Sequence, residues 1–105
     1  MLIDDNPDIL ELLDSALAQE YDLIHAEDGE AGIAQACKYV PDLIISDVMM
    51  PFKNGIELCQ FIKSKKETSH IPIILLSAKS NFNFIETGYN KGADDYILKP
   101  FNVKV

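Results

Sequence analysis

Short apolar runs alternate along the chain with segments of helical period. Runs rich in β-branched residues fall at Met1–Ile3, Asp22–His25, Asp42–Ser46, Ile71–Leu76 and Tyr96–Leu98, each short enough to be a strand and too short for a helix. After the first run, Asn6 precedes Pro7, an N-cap followed by the residue favoured at the first helical position. Ile9, Leu10, Leu13 and Leu17 then form a stripe spaced by three and four, which predicts an amphipathic helix. Asp28 can cap a second helix with Ile33, Ala34 and Cys37 on one face. Asn54-Gly55 breaks the chain before a third, carrying Ile56, Leu58, Cys59 and Ile62. A fourth runs from about Asn81 to Asn90 and stops at Lys91-Gly92, where glycine suits a helix C-terminus. The predicted order is β-α-β-α-β-α-β-α-β, which implies a parallel sheet with helices on both faces. Leu43–Ile45 and Ile73–Leu76 are wholly apolar, as strands covered on both sides should be.

The chain has 105 residues, 48% hydrophobic and 25% charged, which fits one folded domain and excludes a disordered chain. No apolar run approaches the ~20 residues that span a bilayer, so membrane insertion is not expected. The start lacks the basic and apolar regions of a signal peptide, and a cytoplasmic location is the expectation. Cys37 and Cys59 match no metal or redox spacing and read as small buried or half-buried residues. The net charge is −8, from 9 Lys and Arg against 17 Asp and Glu, which disfavours direct nucleic-acid binding.

The distribution of acid says more than its total. In an open parallel sheet, ligands bind beyond the carboxyl ends of the strands, near the point where strand order reverses. Asp4 and Asp5 follow the first predicted strand, Asp47 the third, Ser77 the fourth and Lys99 the fifth. Three carboxylates brought together there cannot all remain ionised without a cation, and a hard divalent ion with oxygen ligands supplies one. An accepting carboxylate, a metal, an ammonium and a hydroxyl are the groups that phosphoryl transfer to an acid requires. Each has a plainer reading: Asp4 as a strand end, Asp47 as a helix cap, Ser77 as an ordinary hydroxyl, Lys99 as a solvated charge and Tyr96 as core. Val48-Met49-Met50-Pro51 favours a loop after Asp47. His25 and His70 have no partners at ligand or triad spacing and read as structural or surface residues.

Four stretches, LIDDNPD, PDLIISDVMMP, IPIILLSAK and GADDYILKPF, occur in that order, each at a strand end. With them the chain resembles the receiver domains of two-component response regulators over essentially its whole length. The wording TSHIPIILLSAK and GADDYILKPF is similar to receivers within hybrid sensor histidine kinases. The resemblance implies a flavodoxin-like, doubly wound five-stranded sheet of order 2-1-3-4-5. It implies that Asp47 is phosphorylated from a phosphohistidine on a histidine kinase or phosphotransfer protein. Asp4, Asp5, Asp47 and the Met49 backbone carbonyl would hold Mg²⁺ (or Mn²⁺), with no other cofactor. Lys99 would pair with the phosphoryl group and Ser77 would swing to hydrogen-bond it, with Tyr96 following as a rotamer switch on the face of the fourth helix and fifth strand. The Lys99–Pro100 bond is usually cis in the family. Output would pass to a downstream domain or protein, with homodimerisation an open alternative.

The pattern departs from the family at its ends. Only Asn102–Val105 follow Pro100-Phe101, too few for the usual closing helix. A single receiver domain over residues 1–105, truncated at both ends and lacking its fifth helix, is therefore expected. The fourth-helix segment, with Phe82 and Phe84, reads as core or as a contact patch. Met49 and Lys79, two residues past Asp47 and Ser77, are poorly suited to orient water, so slow phosphate loss is expected. A phosphatase of the haloacid dehalogenase type needs a second Asp where Met49 stands. A flavodoxin-like cofactor binder needs a glycine-rich phosphate loop after the first strand, and none is present. A partner-binding pseudo-receiver would not require the intact set of Asp4, Asp5, Asp47, Ser77 and Lys99.

Overall fold

The computed structural model describes residues 1–50, 53–77 and 82–98, with side chains in 82–84 excepted. Its elements run β1 (Leu2–Ile3), α1 (Pro7–Leu17), β2 (His25–Ala26), α2 (Gly29–Tyr39), β3 (Ile44–Asp47), α3 (Gly55–Ser64), β4 (Ile73–Ser77), α4 (Phe82–Asn90) and β5 (Asp95–Leu98). The five strands form one sheet of order β2-β1-β3-β4-β5, all in parallel. The parallel sheet is what the alternating pattern predicts, and its order is the doubly wound, flavodoxin-like one that the family resemblance implies. The expectation of a missing fifth helix concerns residues beyond Leu98, outside the described residues.

Helices α1, α2 and α3 each start where the sequence places a cap. The Asn6 side chain accepts from the Asp8 N–H with Pro7 in the first turn, and the Asp28 side chain accepts from the Ala31 N–H. Asn54 and Glu57 exchange bonds, Glu57 N–H to Asn54 Oδ1 at 2.8 Å and Asn54 N–H to Glu57 Oε1 at 3.2 Å. That reciprocal capping box satisfies two helix-end donors at once. Helix α4 closes on Gly92 at φ 107°, with Ala93 N–H donating to Gly88 O and Gly92 N–H to Tyr89 O. Those two bonds are the pair that a left-handed glycine makes possible at a helix end.

Alternation along the strands sorts the core into two layers. Ile3, Ile44, Ile73 and Leu75 pack with Leu58, Cys59 and Ile62 of α3 and Ala36 of α2. Leu2 and Leu76 turn the other way, with Ile45 and Ile74, onto Leu10 and Leu13 of α1. Fully burying a side chain such as Ile44, Ile62, Ile73 or Leu75 contributes roughly 1.5–3 kcal/mol.

The structure corrects two details of the sequence reading. Strand β2 pairs through His25 and Ala26 rather than over Asp22–His25, although Ile24 O still accepts from Leu2 N–H at 2.8 Å. In α2 the buried positions are Gly29, Gly32 and Ala36, whereas Ala34 and Cys37 are exposed and Ile33 is only partly buried. Helix α2 packs closely on α3 and β1, and its smallest residues occupy the contact: a Cβ on Gly32 would stand 2.6 Å from Ile3 Cδ1. Cys59 is buried as expected, and both cysteines are free thiols.

At the amino ends of β4 and β5, Lys63 of α3 joins three elements. Its ammonium donates to Ile71 O at 2.6 Å and to Asp94 Oδ2 at 3.0 Å, and Asp94 Oδ2 also accepts from Ile73 N–H at 2.8 Å. Burial alone would raise the Asp94 pKa; the Ile73 N–H, the Lys63 hydrogen bond and the Lys63 charge outweigh it and hold the carboxyl below its ordinary value.

Candidate functional site

The reversal of strand order lies between β1 and β3, which are direct neighbours with Ile3 paired to Ser46. One step on, β1 delivers Asp4 and Asp5 and β3 delivers Asp47, so the sheet register itself brings these carboxylates together. Asp4, Asp5 and Asp47 each offer an oxygen within 4.8 Å of the others. Asp4 and Asp47 are 2% and 7% exposed, while Asp5 faces solvent.

Backbone amides fix the two buried carboxylates. Asp4 Oδ1 accepts from Asn6 N–H at 2.9 Å and Asp47 Oδ1 from Val48 N–H at 3.0 Å. The first bond ties Asp4 to the cap of α1, since Asn6 O accepts from Ile9 and Leu10. The donor set is all oxygen and acidic, which suits a hard divalent cation, and the exposed Asp5 leaves room for the waters such an ion retains. The three carboxylates therefore fit a metal of that type. Met49, two residues after Asp47, is exposed.

Ser77 ends β4, one position beyond the residue paired with Asp47, and is fully buried. Leu98 of β5 pairs with Ser77. Lys99, Lys79, Pro100 and the Lys99–Pro100 bond lie outside the described residues. Tyr96 pairs with Leu75, is 9% exposed, and its ring lies against Gly88 of α4. Ile85 of α4 packs on the larger core layer; the side chains of Phe82 and Phe84 lie outside the described ones.

Two features escaped the sequence reading. His25 Nε2 lies 3.1 Å from Asp14 Oδ1 on the surface, a pairing across eleven residues that no motif spacing announces. Gly55 is the second: a Cβ there would lie 2.9 Å from the Asp47 carbonyl carbon and nearer still to its oxygen. The Asn54-Gly55 dipeptide signalled a break but not this contact. A groove of about 600 Å³ lies at the opposite edge of the sheet among Leu17, Tyr21, Leu23, Tyr39, Val40 and Leu43. It is mainly apolar and shares no lining residue with the acidic cluster.

A five-stranded parallel sheet of this order, with an acidic cluster where its order reverses, defines the receiver class of α/β signalling domains. The pattern of the response regulator receiver domain matches residues 1–105, and the chain belongs to that family. It is 40% identical over 104 residues to Histidine kinase P4 of Formosa agariphila, covering 99% of this chain and 8% of that protein. It is 38% identical to the DNA-binding dual master transcriptional regulator RpaA of Synechocystis, covering 99% of this chain and 44% of RpaA. Among solved structures, the chemotaxis response regulator CheY4 of Vibrio cholerae superposes with a TM-score of 0.90 at 30% identity, covering 96% of this chain and 85% of that one. The chain spans less than half the length of these two curated relatives. No helix among the described residues is long and apolar enough to cross a membrane.

Proposed function

We propose that the chain is one receiver unit over residues 1–105 whose Asp47 accepts a phosphoryl group from a phosphohistidine on a histidine kinase or phosphotransfer protein. The observation that carries this reading is the convergence of the Asp4, Asp5 and Asp47 oxygens within 4.8 Å at the strand-order reversal. These carboxylates, with the Met49 carbonyl, would hold Mg²⁺ or Mn²⁺, which when bound offsets their repulsion and the charge on the transferring group. Val48 N–H holds Asp47 Oδ1 and so sets the direction of the carboxylate. An Asp47 oxygen forms the new O–P bond as the P–N bond to the donor imidazole breaks, and the imidazole leaves with the electron pair of that bond. Lys99 would pair with the arriving charge, and the Ser77 hydroxyl would donate to it.

The chain thus changes itself covalently and is not an enzyme toward a separate substrate. Phosphorylation would shift a population in which Ser77 and Tyr96 adjust together, with Tyr96 repacking against Gly88 and α4. The partners that follow are a phosphohistidine donor and an output domain or protein. The charge of −8 opposes direct contact with nucleic acid.

The test is intact mass after incubation with phosphoramidate or acetyl phosphate, with and without Mg²⁺, alongside Asp47→Asn. A Mg²⁺-dependent gain of one phosphoryl group that is absent in Asp47→Asn supports the reading. A folded wild type that gains nothing overturns it in favour of a module that only binds partners.

A further inference from the structure

Gly29 opens α2 and lies on a different element from every residue named in the site, yet it is in contact with the loop that leaves β3. A Cβ at Gly29 would stand 2.6 Å from both the carbonyl carbon and the Cβ of Lys53, and nearer still to the Lys53 oxygen. Ordinary carbon contacts lie at ~3.5–4.0 Å. A single methyl group would therefore displace the Lys53 backbone by about an ångström, and a backbone carbonyl cannot rotate aside as a side chain can. Gly29 is not among the residues of positive φ, so the position requires glycine for space and not for conformation.

Lys53 is coupled to the acidic cluster by a short covalent and hydrogen-bonded path. Asn54, its neighbour, is held by the reciprocal bonds with Glu57. Gly55 follows, donating its N–H to Val48 O at 2.8 Å and leaving no room for a Cβ beside the Asp47 carbonyl. Val48 N–H in turn holds Asp47 Oδ1, and Met49 is the next residue along. Residues 53–55 are thus clamped between Gly29 on one side and Asp47–Val48 on the other.

We propose that Gly29 is a positioning residue for the metal site, acting through Lys53–Gly55 on the Asp47 carboxylate and the Met49 carbonyl; this rests on the metal reading above. Small octahedral cations tolerate little distortion of their ligands, and loss of an outer contact that orients ligands typically costs ~10–100-fold in metal affinity. Gly32, one turn further along α2, provides the control. A Cβ there would meet Ile3 Cδ1 at 2.6 Å and Leu58 Cδ1 at 2.9 Å, the ends of flexible chains in the core and away from the loop.

The experiment is Mg²⁺ titration by calorimetry on the full chain, with thermal unfolding of the same samples. Gly29→Ala is expected to weaken Mg²⁺ binding by about tenfold or more, whereas Gly32→Ala loses thermal stability and keeps the wild-type affinity. Should Gly29→Ala not fold, Asn54→Ala carries the test, because it releases the same segment from Glu57 and is expected to weaken Mg²⁺ in the same direction. Wild-type affinity in Gly29→Ala, or in Asn54→Ala where that variant is needed, overturns the proposal. An equal loss in Gly32→Ala does so as well. A wild type that binds no Mg²⁺ removes the metal reading and the proposal with it, whereas binding indifferent to Gly29 removes the proposal alone.

Discussion

Replacing Asp5 by Asn should stabilise the metal-free protein while weakening its response to Mg²⁺. Asp5 oxygens lie within 4.8 Å of those of Asp4 and Asp47, where two unit charges repel by about 3.5 kcal/mol at an effective dielectric of ~20 and by about 0.9 kcal/mol in water. Asp5 is exposed, so the lower figure applies to each of its two repulsions, and their sum is about 2 kcal/mol. Asn keeps the shape, removes the charge and adds a donor that either neighbour can accept. About 2 kcal/mol in a domain of this size raises Tm by roughly 8–16 °C; competition from salt and solvent brings the expectation to the order of 5 °C. Circular dichroism melts in EDTA and in millimolar Mg²⁺ read both effects. The wild type should gain stability with Mg²⁺ as mass action requires, and Asp5→Asn should gain less. A variant that melts no higher than wild type in EDTA would refute the claim that repulsion from Asp5 destabilises this cluster. A variant that keeps the full Mg²⁺ shift would refute a ligand role for Asp5.

Two further outcomes follow from groups outside the cluster. Asp94 has a lowered pKa, so its contribution to stability is fully present above its ordinary value of 3.8 and is lost as pH falls through the native value. Asp94→Asn should cost roughly 0.5 kcal/mol at pH 7, discounted because half of the side chain is exposed, and the gap between the two melting curves should close in strong acid. A gap independent of pH would contradict the ion-pair account. Burial pushes the Cys59 thiol up to about 11, against the opposing charge of Lys63, whereas Cys37 is exposed. A thiol reagent at pH 8 should therefore label one cysteine quickly in the native state and both after unfolding; two fast thiols would show that the face of α3 carrying Cys59 is not packed against the core.

Much of this architecture was legible because local and long-range signals agreed. Asn6-Pro7, Asp28 and Asn54 marked three helix starts, and the alternation within Ile44–Ile45 and Ile73–Leu76 fed both core layers. The acidic cluster was legible for a related reason: parallel strands deliver the residues that follow them to one edge, so position after a strand stands in for proximity. Helix α2 was misread because a close helix contact selects small side chains. Hydrophobic periodicity gives weight to Ile33 and Cys37 and none to Gly29 or Gly32. Val40, at φ 45° and ψ 68°, ends that helix in a left-handed conformation unusual for a β-branched residue, and nothing in a Tyr-Val-Pro sequence announces it. The Lys63–Asp94 pair was likewise invisible, since 31 residues separate its members and only the packed sheet makes them neighbours.

The Lys63 junction has a mechanical consequence. It fastens α3 to the ends of β4 and β5 farthest from the acidic cluster, while the opposite ends of those strands carry Ser77 and Leu98. A body held at one end and pushed at the other pivots and does not slide. Any rearrangement driven from the cluster should therefore grow along β4 and β5 with distance from Lys63, and the outer turn of α3 beside Ser69 and Ile71 should serve as the stationary frame.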